Sequence, residues 1–98
     1  MINYSILADV PGDIKKAYES YMIDRHIPDL MATGLFTGAS ISRGENDQYR
    51  IDYLLANKQD YDRYIAEDAP RLREHFEKHF SGRVKTSRTV WETVREYR

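Results

Sequence analysis

His26 is the residue best placed for acid–base chemistry. It stands where an amphipathic helix meets Ile27-Pro28. An imidazole there titrates in the range useful to a general base or a hydrogen-bond partner. The position also suits a plainer role, in which the ring bonds a carbonyl freed at the helix end. His75 and His79 lie four apart, a spacing able to hold a metal. At ~100° per residue, His79 falls about 60° and His75 about 100° from the centre of the apolar stripe Leu72, Phe76, Phe80. They read as boundary residues, and no cysteine or motif acid completes a metal site. No metal and no cofactor are expected.

Other polar candidates lie on strands and helix starts. Arg50 and Asp52 share one strand face and can steady each other directly or through water. Ser5 occupies the corresponding polar face of the first strand. Eight tyrosines are present, and Tyr18, Tyr21, Tyr49, Tyr53, Tyr61 and Tyr64 fall on inward faces. A buried tyrosine needs a partner for its hydroxyl, so some, Tyr53 among them, are candidates to reach a ligand. Arg71 and Arg73 flank Leu72 after Pro70. They can serve a bound anion or pair with Glu67, Glu74 or Glu77.

The elements that must position these residues are readable from periodicity. In residues 2–8, Ile2, Tyr4, Ile6 and Ala8 alternate with Asn3, Ser5 and Leu7, the pattern of a strand. Asp13 is a candidate cap for a helix with Ile14, Ala17, Tyr18, Tyr21 and Met22 on one stripe. Pro28 should end this helix at or before Ile27 and open a short second one through Ala32, stopped by Gly34. Residues 35–43 and 48–56 read as a hairpin joined by Gly44-Glu45-Asn46-Asp47. A helix begins near Lys58 and is interrupted at Pro70, where Asp68 can cap a new segment. Gly82 stops that segment, and residues 83–91 form the last strand.

The order β-α-β-β-α-β implies one α+β domain over residues 1–98. Its antiparallel sheet has both helices on one face. The other face carries Asn3, Ser5, Leu7, Arg50, Asp52 and Leu54, a mixture that suits a wet surface or the wall of a partly polar cavity.

Bulk properties narrow the function classes. The chain has 98 residues and a formal net charge of −1, which gives no general pull toward nucleic acid or anionic membrane. Residues 45–70 carry seven acids against three bases, and residues 71–98 carry eight bases against four acids. That asymmetry can orient one subunit against another or simply mark solvated faces. Absence of cysteine removes disulfides and thiolate chemistry. No apolar run approaches the ~18 residues of a membrane helix, and no signal sequence is apparent. A cytoplasmic protein without membrane or nucleic-acid partners is expected.

Several short motifs carry a family likeness: His26-Ile27-Pro28 with Gly34-Leu35-Phe36, Ala69-Pro70-Arg71-Leu72-Arg73, the Phe76/Phe80 stripe, and Ser87-Arg88-Thr89-Val90-Trp91-Glu92. In these the chain resembles the dimeric α+β barrel superfamily of ferredoxin-like subunits. Within it, the chain is similar to a bacterial family of this length that carries only a domain-of-unknown-function label. The resemblance implies two subunits packed sheet to sheet around a cavity. It also implies that His26, after the first helix, faces that cavity as a candidate catalytic residue. Ser5, Arg50, Asp52 and Tyr53 are the candidate ligand-binding residues.

Two functions follow as expectations. One is a homodimer binding a small organic molecule between its sheets, with cofactor-independent lyase, isomerase or monooxygenase-type chemistry. The other is a non-catalytic assembly module that uses the sheet only to dimerise. RNA recognition shares the topology, but Gln48–Leu55 lacks the glycine-aromatic pattern of RNA-recognition domains.

Overall fold

Alternation along the strands sets the two faces of the sheet. The computed structural model describes residues 1–98. Strand β1 (Ile2–Asp9) is followed by a short 3₁₀ turn at Gly12–Ile14 and helix α1 (Lys15–Tyr21). A π turn at Met22–His26 leads into α2 (Ile27–Met31). Strands β2 (Phe36–Arg43) and β3 (Gln48–Leu55) form a hairpin. Helices α3 (Lys58–Glu67) and α4 (Ala69–Phe80) precede β4 (Lys85–Glu92). The antiparallel sheet has the order β2-β3-β1-β4. The predicted α+β fold and element order are observed.

In register, Tyr4 stands opposite Tyr53, and Ile6 opposite Ile51. These side chains and Ile2, Ala8, Tyr49 and Leu55 are buried against the helices. From the helix side, Tyr18, Met22, Leu30, Tyr64, Leu72, Phe76 and Phe80 complete one core. Tyr4 packs on Tyr53, Tyr61 and Tyr64 with ring centroids 5.5–5.9 Å apart. Ala17, placed on the inward stripe by its spacing, is exposed.

The helix does not end before Pro28, as the proline preference predicts. The backbone stays helical at His26 and Ile27, and the Ile27 N–H reaches back five residues to the Met22 carbonyl. A wider turn relieves the clash between the proline ring and the carbonyl four residues before it. Losing one helical hydrogen bond costs about 1 kcal/mol. Burying Met22 and Leu30 on either side contributes about 1.5–3 kcal/mol each, so continuation wins. Gly34, at φ +78°, then ends the run as its spacing implies.

Two expected caps are also different. Asp13 makes no capping bond; its carboxylate accepts from Arg83 at 2.8 and 3.0 Å. Asp68 accepts from Arg71 at 3.2 Å instead of capping α4. The cap of α3 is Asn57, whose side chain accepts from the Asp60 N–H at 2.9 Å.

Candidate functional site

The sheet separates the candidate residues into two groups. Ser5, Arg50 and Asp52 lie on the face that no helix covers. Ser5 pairs with Asp52 across β1 and β3, and Arg50 Nε bonds the Asp52 carboxylate at 3.0 Å. With Leu7, Ser87, Thr89 and Trp91, Ser5 and Arg50 border an open trough of about 290 Å³. Leu7 and Trp91 are 43% and 59% exposed there, the main apolar area of an otherwise polar surface.

His26 is on the opposite side of the sheet. The π turn carries it inward, where its ring lies 5.4 Å from that of Phe76 and 5.9 Å from that of Tyr21. The expectation that it faces a space between two sheets is therefore corrected. Sequence pattern marks the irregularity before Pro28, but the extra residue of the π turn decides which way the ring points. Tyr53 is also on the helix side, fully buried, with a hydroxyl that has no partner. Burial pushes its ionisation upward, followed by the neighbouring tyrosines Tyr64, Tyr18 and Tyr4.

Beside His26 is a cavity of about 30 Å³, room for roughly two waters at ~10–15 Å³ each. Ile6, Ile51, Met22 and Phe76 supply apolar wall. The polar lining is His26, Arg73, Glu77, Thr86 and Arg88, and Glu77 and Arg88 are exposed at the rim. Burial lowers the His26 pKa from 6.5 to about 4; Asp29 opposes this, while His75 and Arg88 reinforce it. The ring is thus neutral near pH 7, and the same burial makes it a weaker base than a free imidazole.

A second polar centre adjoins that lining. The Tyr4 hydroxyl accepts from Arg73 Nη2 and from Arg88 Nε, each at 3.0 Å. Neither arginine forms an ion pair with a carboxylate, in contrast to Arg43, Arg50, Arg63, Arg71 and Arg83. Arg73 Nε is buried without an acceptor, an omission that costs about 1–3 kcal/mol. Sequence spacing raised Arg73 together with Arg71, for a bound anion or for pairing with Glu67, Glu74 or Glu77; instead Arg71 pairs with Asp68 and Arg73 meets Tyr4. Alternation along β4 puts Thr86 and Arg88 on the Ile6 side, the one signal in the sequence that pointed to them.

The remaining histidines gather at Tyr21. His75 Nδ1 and the Tyr21 hydroxyl share a hydrogen bond of 2.5 Å. The His79 ring stacks on Tyr21 at 4.3 Å. No group of three or more histidines and acids has metal-holding geometry. Through Tyr21 and Phe80, the i, i+4 pair makes an aromatic edge to the core.

Comparison with known proteins starts from the sequence, which over residues 1–94 matches the family described as domain of unknown function DUF4286. The chain belongs to the DUF4286 family. Among curated proteins, none matches it. Solved structures share its fold. One is a dimeric ferredoxin-like protein from an uncultured marine organism, 16% identical with a TM-score of 0.75, covering 98% of this chain and 97% of that one. A second, of the same description and source, is 14% identical with a TM-score of 0.68, covering 99% and 98%. A third, described as a "putative monooxygenase" from Shewanella loihica PV-4, is 10% identical with a TM-score of 0.59, covering 97% and 95%. These likenesses extend over nearly the whole of each chain. No helix is long and apolar enough to cross a membrane.

Proposed function

We propose that this DUF4286 protein is a homodimer whose subunits each bind a small organic molecule in the cavity beside His26. His26 then takes a proton from that molecule in a reaction needing no cofactor. The observation that carries the reading is a buried, neutral imidazole on the wall of a cavity with an exposed rim. Lyase, isomerase and cofactor-independent oxygenase reactions share such a proton-abstraction step. The "putative monooxygenase" fold neighbour is in keeping with the last of these.

Dimerisation uses the uncovered sheet face, in keeping with the two dimeric ferredoxin-like neighbours. Ser5, Arg50 and Asp52 then belong to the interface and the space it encloses, and Tyr53 to the core. The ligand site moves from between the sheets, where the sequence suggested it, to the helix side of each sheet.

The small volume of the cavity favours one alternative, an assembly module without a ligand. NMR separates the two. Simple aliphatic and aromatic acids, amides and alcohols are added at millimolar concentration to the isotope-labelled dimer. Shifts confined to His26, Phe76 and Thr86 are the expected result. A dimer in which no such compound moves these resonances would leave only assembly.

A further inference from the structure

Tyr4 is an unusual meeting point. Two guanidinium groups donate to its one oxygen, from α4 and from β4, 69 and 84 residues away in sequence. Both partners are donors, so the Tyr4 O–H has no acceptor between them. Two positive charges and a hydroxyl proton thus converge, and both arginines line the His26 cavity. The one acid in that lining, Glu77, makes no ion pair with either arginine. It sits exposed at the rim.

Arg88 also donates from Nη1 to the Thr86 hydroxyl at 3.2 Å, so the two guanidinium groups meet neutral oxygens and no carboxylate, an arrangement complementary to an oxyanion. Guanidinium forks match the two oxygens of a carboxylate particularly well. We infer that the molecule bound beside His26 is a small organic acid, its carboxylate held by Arg73 and Arg88 around Tyr4. This rests on the proposed cavity site and adds the class of molecule it takes. The carboxylate needs little more room than the two waters the cavity can hold. The rest of the acid lies past Thr86 toward the exposed rim at Glu77. Apolar wall from Ile6, Ile51 and Phe76 faces the hydrocarbon part, within reach of His26.

The test compares benzoate with benzamide, which has nearly the same shape and no charge, and with inorganic phosphate. Binding to the wild-type dimer is followed by shifts of the arginine Nε–H and His26 ring signals. Benzoate should bind about tenfold more tightly than benzamide, the worth of one charge-assisted bond. Arg73→Gln and Arg88→Gln should each weaken benzoate far more than benzamide and so remove that advantage, with thermal unfolding confirming that both fold. Arg88→Lys should keep part of it. Glu77→Gln should bind benzoate at least as well, because it removes a negative charge from the rim.

Equal binding of benzoate and benzamide overturns the organic-acid inference and leaves the cavity site standing. Phosphate binding as tightly as benzoate also overturns it, in favour of a general oxyanion site. So does loss of benzoate binding in Glu77→Gln. If no probe moves His26, Phe76 or Thr86, the cavity reading falls with it.

Discussion

His26 lies against Phe76, ring centroids 5.4 Å apart and planes inclined by 57°, and this contact joins the π turn to α4. Phe76 also touches Tyr18, Tyr21 and Phe80, so one residue braces the site from four directions. Phe76→Ala should destabilise the protein by about 3–5 kcal/mol, as large-to-small aromatic changes in cores do. It should also enlarge the cavity. Phe76→Leu should cost markedly less. Urea unfolding of the three proteins measures the order, and equal stability of Phe76→Ala and wild type would remove Phe76 from the core.

Burial of a neutral His26 makes stability depend on pH. Its pKa is lowered from 6.5 to about 4 in the fold, so the unfolded chain binds more protons between these values. Stability from this group is intact above pH 6.5 and is lost as pH falls toward 4. Asp29 opposes the loss, and His75 and Arg88 add to it. At pH 5 the cost is about 2 kcal/mol relative to pH 7. A His26→Gln variant should show a flatter stability profile between pH 6.5 and 5, whatever its absolute stability. Parallel profiles for variant and wild type would mean that His26 titrates normally.

A different group titrates at lower pH. The Glu19 carboxylate accepts from Arg43 at 2.9 and 3.0 Å and from the Tyr49 hydroxyl. Arg43 first, then Tyr49, lowers its pKa from 4.5 to about 2. A depressed carboxylate stabilises the fold above its ordinary pKa, and that contribution fades as pH falls through the folded value. Carbon-detected NMR of the Glu19 side chain should place its titration near pH 2. In Arg43→Gln the midpoint should rise; an unmoved midpoint would show that Arg43 is not its cause.

The sequence revealed the chain of elements because each is announced locally. Strand alternation marks β1 and β3, Gly34 at positive φ follows α2, and Ser81 and Gly82, both at positive φ, end α4. Asn46 and Asp47, also at positive φ, close the hairpin where the polar tetrapeptide suggested. What stayed hidden depends on contacts between distant segments. Proline's local preference argued for a helix end, whereas burial of Met22 and Leu30 carried the helix through a π turn. That turn sends His26 to the helix side, which no periodicity records. Asp13 looked like a cap until Arg83, 70 residues later, was beside it. Arg73 and Arg88 meet on Tyr4 only once the sheet has formed.

Tyr21 and His75 share a bond that Tyr21→Phe would remove while leaving the stacked rings in place. A loss of about 1 kcal/mol in unfolding free energy is expected for one such bond. The His75 Nδ1 nitrogen shift should move with it. Binding in the His26 cavity should not change, because neither Tyr21 nor His75 lines it. If Tyr21→Phe altered ligand binding as strongly as Arg88→Gln, the Tyr21 cluster would be part of the site.

Leu7 offers a clean test of the sheet face as the dimer interface. It stands directly opposite Arg50 in the register of β1 and β3 and is 43% exposed in the single subunit. An aspartate there would lie beside that guanidinium and in water. Leu7→Asp should therefore change the stability of a lone subunit by only about 0.5 kcal/mol. In a sheet-to-sheet dimer the same carboxylate is covered by the partner's sheet with poor hydration, and charges buried this way cost several kcal/mol. Sedimentation equilibrium should show wild type as a dimer and Leu7→Asp as a folded monomer. A variant that remained dimeric at micromolar concentration would move the interface off this face.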